Sequence, residues 1–142
     1  MKLANKLLFL LESEDGLEGG ITTRKLGKAI IFTFNNKDGK EVGIVRAFPV
    51  QNGKILLIDQ VSKKDNSVED FMTKAYKMLL KQYEAIVSDR VLTDSAKKVW
   101  EKIQNSHEFP NKVFKAKDLN GDEHYVLTKE PNTKFDIDFQ LP

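Results

Sequence analysis

The chain has 142 residues, of which 40% are hydrophobic and 31% are charged, a balance typical of one globular domain spanning residues 1–142. Its 23 basic and 21 acidic residues leave a net charge of +2, which gives no support to a nucleic-acid-binding role. The sequence contains no cysteine, so disulfides, thiolate metal ligands and cysteine nucleophiles are excluded.

The opening segment, residues 1–13, has the spacing of an amphipathic helix. Its apolar positions fall on one helical face: Ala4, Leu7, Leu8 and Leu11. Lys6 interrupts the apolar run and Glu12 ends it, so the segment is too short to cross a bilayer, and no cleavage site follows it. We therefore predict a helix packed on the core of a cytoplasmic protein, with an anchor on a membrane surface as the alternative.

Three runs of β-branched and aromatic residues follow a glycine-rich loop at 14–20. They predict strands over residues 29–35, 41–51 and 54–62. The dipeptides Asp38-Gly39 and Asn52-Gly53 separate these runs, and both favour tight hairpin turns. The sequence thus predicts a three-strand antiparallel meander.

The hydrophobic period then changes from two to 3.6, which predicts a helix over 67–83 with Asn66 or Ser67 as its N-cap. Further patterns predict a strand at 85–89, a helix at 93–106 and a hairpin of 112–119 with 124–130. A strand, helix, strand connection places its two strands parallel. The predicted fold is therefore α+β with a mixed sheet.

Within the C-terminal tail, residues 131–142, the stretch 135–141 alternates strictly between apolar and polar side chains. Phe135, Ile137, Phe139 and Leu141 alternate with Asp136, Asp138 and Gln140. This pattern predicts a half-buried strand that either closes an edge of the sheet or pairs with a partner chain.

The order of these elements resembles that of the GNAT family of N-acetyltransferases, which bind acetyl-coenzyme A. The stretch AYKMLLKQYEAIVSDRVLTDSAKKVWEKI, residues 75–103, is also similar to a segment of GNAT-like proteins common in phage and prophage genomes. In that segment a Tyr-x-x-Leu helix leads to a Val-Ser-Asp strand and an Ala-x-x-Val-Trp helix. The resemblance implies a GNAT-like fold and an acyltransferase-like function.

In that family the loop after the fourth strand carries the pattern Gln/Arg-x-x-Gly-x-Gly/Ala and opens a helix whose N–H groups bind pyrophosphate. The resemblance aligns this pattern with Ser67, Asp70 and Met72, where neither glycine is present. Glu69 and Asp70 would then lie in the first helical turn, and their charge would oppose a phosphate by on the order of several kcal/mol. We therefore expect acetyl-coenzyme A binding to be weakened or lost.

The resemblance nevertheless implies a set of residues that would contact the coenzyme. Lys63 and Lys64 are the expected sources of positive charge. The complete set of expected cofactor-binding residues is Val61, Lys63, Lys64, Ser67, Asp70, Met72 and Ser88.

Asp59 and Tyr125 are the candidate catalytic residues. Asp59 lies on the predicted strand at 54–62, which the resemblance equates with the fourth strand of the family, where a carboxylate often receives the proton of the amine. Tyr125 and Tyr83 are the phenols available to protonate a thiolate. The alternatives are a solvent-facing Asp59 and tyrosines that serve packing.

The histidines, His107 and His124, are far apart in sequence and lack nearby ligand spacing, so no zinc site is expected.

Three functions remain open from the sequence. The first is a binding or regulatory module, phage-encoded in origin, that has lost the phosphate site. The second is an active N-acyltransferase that uses acetyl-coenzyme A. The third is an oligomeric or host-protein-binding factor whose C-terminal strand adds to the sheet of a partner.

Overall fold

The computed structural model describes residues 14–139, so the predicted helix at 1–13 lies outside the described residues. The described chain opens with an antiparallel meander, in which Gly39 and Gly53 adopt a φ of 79° in the predicted hairpin turns. Its strands are β1 (Gly20–Leu26), β2 (Ala29–Asn35), β3 (Glu41–Val50) and β4 (Ile55–Lys63).

Strand β1 was not predicted, so the meander has four strands and not three. Among residues 14–139 it forms one edge of the sheet and pairs with β2 alone, over the full length from Gly20↔Asn35 to Leu26↔Ala29. All its residues from Thr22 to Leu26 are exposed. An edge strand with so little burial has no alternating apolar pattern, so hydrophobic periodicity could not predict it.

The second half contains two helices and three strands. They are α1 (Phe71–Leu79), β5 (Ala85–Val87), α2 (Asp94–Asn105), β6 (Val113–Lys117) and β7 (Glu123–Thr128). The sheet order is β1-β2-β3-β4-β5-β7-β6, with β4 and β5 parallel and all other neighbours antiparallel. The predicted mixed sheet and α+β class are confirmed. Neither helix of the described range is long and apolar enough to span a membrane.

The main core lies between the two helices and one face of the sheet. Trp100 of α2 is 1% exposed, and its ring stacks on that of Tyr125 with centroids 5.6 Å apart and planes 9° apart. The ring of Tyr76, from α1, lies 5.3 Å from Trp100 on a tilted plane. Trp100 therefore joins α2 both to α1 and to β7.

The opposite face of β4, β5 and β7 carries a second, smaller core, which the tail covers. Ile137 is 1% exposed, and the ring of Phe135 meets that of Phe114 edge-on at 5.6 Å. Asp136 and Asp138 are exposed, as the alternation predicted. The predicted tail strand was wrong for the described residues, because residues 131–139 are in no strand. The side chains of the tail therefore alternate between more buried and more exposed positions, although its backbone pairs with no strand in the described range.

Gly43 permits close packing of α1 on the meander. A Cβ at this position would lie 2.6 Å from the carbonyl oxygen of Ser62 and 2.7 Å from Cζ of Phe71. We expect Gly43→Ala to lower the free energy of unfolding by about 1–3 kcal/mol, the usual effect of overpacking a core. Urea denaturation followed by circular dichroism measures the loss. The double variant with Phe71→Leu should recover part of it, and a Gly43→Ala protein as stable as the wild type would contradict this packing.

Candidate functional site

Strands β4 and β5 lie side by side for only three residue pairs and then separate. The paired residues run from Ile55↔Ala85 to Leu57↔Val87, where β5 ends. Strand β4 continues to Lys63, and over this stretch its only described strand partner is β3. The main-chain groups of residues 58–63 that point away from β3 therefore have no strand partner among the described residues, and we call this interval between β4 and the end of β5 the gap.

A β-bulge lies at the point where the strands separate. Arg46 pairs with Gln60 and Ala47 pairs with Ile58, so Asp59 is an extra residue in β4. A bulge bends its strand and increases the local twist. The bulge thus gives a local cause for the departure of β4 from β5.

The carboxylate of Asp59, the predicted catalytic base, is held by Arg46. Nε of Arg46 donates a hydrogen bond of 2.6 Å to Oδ2 of Asp59, and both side chains are about one-third exposed. A general base must reach the proton that it removes. Here one of the two carboxylate oxygens is already occupied, so Asp59 is partly committed to a local ion pair.

The helix after β4 begins later than predicted. Ser67 was expected to cap it, but its hydroxyl donates to the carboxylate of Asp65 instead. The N-cap is Asp70, whose φ of 54° and ψ of 40° are left-handed and whose side chain makes no capping bond. Aspartate tolerates this conformation, which glycine adopts most easily. The loop thus takes a glycine-like backbone turn directly before α1.

The expected pair of carboxylates in the first helical turn was also wrong. Helix α1 has no acidic residue in that turn, because Glu69 and Asp70 both precede Phe71. Nζ of Lys102, from α2, donates a 2.5 Å hydrogen bond to Oδ1 of Asp70. This bond lowers the pKa of the Asp70 carboxyl and raises that of Lys102. The negative charge nearest the helix start is therefore already paired.

The start of α1 presents unpaired main-chain donors. Among the described residues, no hydrogen-bond acceptor is paired with the N–H groups of Phe71, Met72 and Thr73. Nζ of Lys63 donates to the carbonyl oxygen of Val68 at 3.2 Å, which places a cation beside the same loop. Helix N-termini with free N–H groups favour anions.

A hollow of about 410 Å³ borders the loop at residues 65–69 and has the opposite character. Acidic side chains outnumber the two lysines in its wall, which disfavours an anion there. The charged lining residues are Asp15, Glu18, Asp38, Asp65, Glu69, Lys37 and Lys74. The chain thus has an acidic hollow along the loop and two basic groups nearby, Lys63 on the carbonyl oxygen of Val68 and Lys102 on the carboxylate of Asp70.

The remaining predicted cofactor-binding residues divide between the surface and the core. Nζ of Lys64 pairs with Glu41 at 3.1 Å, outside the gap residues. Val61 is half-buried against the main core, and Met72 is buried in it. These two side chains can offer only apolar contact.

Ser88 lies at the end of β5 and is fully buried. Its N–H donates to the carbonyl oxygen of Tyr125 and its Oγ accepts from the N–H of Tyr125, each at 2.9 Å. Its carbonyl oxygen lies 2.7 Å from Nδ1 of His124. Ser88 therefore fastens the end of β5 to β7, which fixes one wall of the gap.

The sequence did not indicate that His124 and Asp118 meet. Their side chains are six residues apart across the Asn120-Gly121 turn, and Nε2 of His124 lies 2.8 Å from Oδ2 of Asp118. The hairpin register could have indicated this contact, because the pairing of Ala116 with His124 places the turn residue Asp118 beside His124. In residues 14–139, no group of three or more metal-ligating side chains is suitable for a metal ion.

The two candidate phenols are packed against other rings. Tyr125 is 6% exposed, stacks on Trp100, and has Nζ of Lys115 5.0 Å from its ring centroid. Tyr83 meets Phe32 edge-on at 6.0 Å, and burial raises its pKa. Neither environment favours donation of a proton to a leaving group.

No protein-family model and no curated protein sequence matches the chain. Solved structures with a similar backbone fold include an acetyltransferase of the GNAT family from Staphylococcus aureus Mu50. Its sequence identity is 9% and its TM-score is 0.41, and the similarity covers 72% of this chain and 69% of that chain. An aminoglycoside 6′-acetyltransferase type Ii has 16% identity and a TM-score of 0.47, over 74% and 72% of the two chains. The aminoglycoside 6′-N-acetyltransferase from Enterococcus faecium has 14% identity and a TM-score of 0.42, over 76% and 78%.

Proposed function

We propose that the chain is a GNAT-like protein that binds acetyl-coenzyme A in the gap between β4 and β5. The observation that carries this proposal is the separation of two parallel strands beyond Leu57 and Val87, next to the bulge at Asp59. Ligands of open sheets favour crevices at the carboxyl ends of parallel strands. The amide-containing arm of the coenzyme suits the main-chain groups of β4, much as an added strand would.

The start of α1 supports the same proposal, because its N–H groups suit the phosphate groups of the coenzyme. The N–H groups of Phe71, Met72 and Thr73 would hold the diphosphate, with Lys63 supplying positive charge. The glycines of the family pattern are absent, but the left-handed Asp70 gives the loop a turn of the kind that glycine favours. The pairing of Asp70 with Lys102 reduces the repulsion that the sequence had suggested.

Calorimetric titration with acetyl-coenzyme A tests the proposal. We expect binding in the micromolar range, and Lys63→Glu should weaken it by about tenfold because it reverses a charge near the phosphates. Lys28→Glu is the matched control, since it makes the same charge change on an exposed residue of the β1–β2 turn. The absence of heat at millimolar ligand would contradict the proposal, as would equal losses in the two variants.

Whether acyl transfer follows binding depends on the residues at the gap. In the transfer an amine would attack the thioester carbonyl, the C–S bond would break, and the thiol would leave with a proton. The carboxylate of Asp59 is engaged by Arg46, and Tyr125 is stacked in the core. These contacts favour a second candidate function, a regulatory module that binds the coenzyme without transferring its acyl group.

Release of free thiol distinguishes these two functions. The chain has no cysteine, so a thiol reagent added to protein, acetyl-coenzyme A and a primary amine detects only coenzyme A. Turnover that depends on the amine would establish the transferase, and binding without turnover across a panel of amines would favour the regulatory module. Phage origin, a host partner and a cytoplasmic location stay predictions.

A further inference from the structure

A buried polar cluster at the end of β5 is formed by His124, Asp118 and Ser88, of which Ser88 is 36 residues from His124 in sequence. The side chain of His124 is 1% exposed and that of Asp118 is 3% exposed. Nδ1 of His124 lies 2.7 Å from the carbonyl oxygen of Ser88, and Nε2 lies 2.8 Å from Oδ2 of Asp118. Both ring nitrogens thus face oxygen atoms at hydrogen-bond distance.

The chemistry of these oxygens determines which atoms carry protons. A carbonyl oxygen can only accept, so Nδ1 of His124 must donate to Ser88. Oδ1 of Asp118 accepts from the N–H groups of Asn120 at 2.9 Å and Asp122 at 3.0 Å. The hydrogen bond with His124 has the largest effect on the Asp118 carboxyl, and together with these two N–H bonds it lowers the pKa of that group. The two N–H donors on Oδ1 stabilise the carboxylate form independently of His124, and a carboxylate only accepts, so Nε2 must donate as well.

We propose that His124 is a buried imidazolium and that its pairing with Asp118 fixes the end of β5, which makes His124 a positioning residue for the β4–β5 gap. The protonation state follows from the contacts of the cluster alone. The positioning role rests on the proposed function.

Ser88 transmits the constraint from His124 to the gap. Its carbonyl oxygen accepts from the imidazolium, its N–H and Oγ hold both main-chain groups of Tyr125, and its Oγ also donates to the carbonyl oxygen of Asp89 at 3.2 Å. Ser88 directly follows Val87, the last residue of β5 beside β4. The cluster therefore holds the residue after β5 against β7, at the point where β5 stops pairing with β4.

One further charged pair lies beside the cluster. Arg90 lies 3.9 Å from Asp122, and both belong to the loops that flank the cluster. Strand β6 contributes the uncharged Ala116 opposite His124. Within the described range, Asp118 is thus the one acidic side chain that forms an ion pair with His124.

Nuclear magnetic resonance of the ¹⁵N-labelled wild type tests the protonation state. Long-range correlation of imidazole protons and nitrogens near pH 7.5 should show protons on both nitrogens of His124, with slow exchange because the ring is buried. His107, which is exposed, is the internal reference in the same spectrum. A His124 ring with one unprotonated nitrogen would overturn the proposal, and no variant has to fold for this result to be obtained.

The positioning role is tested by His124→Gln, with His107→Gln as the matched control. We expect the amide protons of Ser88 and Tyr125 to exchange at least about tenfold faster in His124→Gln, while amides of the β1–β2 pair stay unchanged. Acetyl-coenzyme A should bind several-fold more weakly to His124→Gln alone. Unchanged amide exchange would refute the positioning role.

Failure of the proposed function gives a different pattern of results. If the wild type binds no acetyl-coenzyme A, the coenzyme site is rejected. The protonation of His124 and the amide exchange at Ser88 are then still tested by their own measurements. Conversely, binding that is equally tight in both glutamine variants would retain the coenzyme site and reject His124 as its positioning residue.

Discussion

Trp100→Ala should lower the free energy of unfolding by about 3–5 kcal/mol, the range for truncation of a buried aromatic side chain. The indole is 1% exposed and contacts the rings of Tyr76 and Tyr125 on different elements. Its removal would leave a cavity among α1, α2 and β7 and would also remove the ring stacking. Because Tyr125 is fastened to Ser88, loss of the indole should also weaken ligand binding in the gap.

Circular dichroism is the appropriate probe for this comparison, because Trp100 is the single tryptophan and its replacement abolishes the tryptophan fluorescence signal. Lys98→Ala is the control on the exposed side of the same helix and should change stability by no more than about 0.5 kcal/mol. Trp100→Phe should fall between the two. A Trp100→Ala protein that matches the control would show that the stack contributes little.

The sheet was largely predictable because its determinants are local. Alternating apolar residues and the Asp38-Gly39 and Asn52-Gly53 turns specify hairpins between neighbours in sequence, and each of these strands was found. Strand β1 was not predicted, because residues 22–26 are exposed at the edge of the sheet and have no apolar periodicity. Even the tail was correctly divided into more buried and more exposed positions over residues 135–139, although not into a strand, and the predicted positions Gln140 and Leu141 lie outside the described residues.

The site was less predictable because its determinants are long-range contacts. The helix start depends on Asp70, whose carboxylate pairs with Lys102, 32 residues away. The state of Ser88 depends on His124, 36 residues away. The bulge at Asp59 arises from register against β3 and leaves no compositional mark in β4. Local propensity predicted two acids in the first turn, whereas the tertiary contact places Asp70 before it.

Ile137→Ala should lower the free energy of unfolding by about 2–5 kcal/mol, the range for a buried aliphatic residue. Ile137 is 1% exposed and packs into the second core with Leu57 and Val126. Asp136→Ala, on the neighbouring exposed residue, should stay within about 0.5 kcal/mol of the wild type. Urea denaturation of the two variants, followed by circular dichroism, gives the comparison.

This prediction separates two roles of the tail that the alternating sequence allows equally well. If the tail covers its own domain, truncation after residue 131 should destabilise the protein as Ile137→Ala does, and the number of chains in the solution particle should stay the same. If the tail instead completes the sheet of a partner, truncation should reduce that number, and Ile137→Ala should have little effect on the stability of the isolated chain. The burial of Ile137 against β4, β5 and β7 favours the first outcome, because a side chain already enclosed by its own sheet must leave that core before it can reach another.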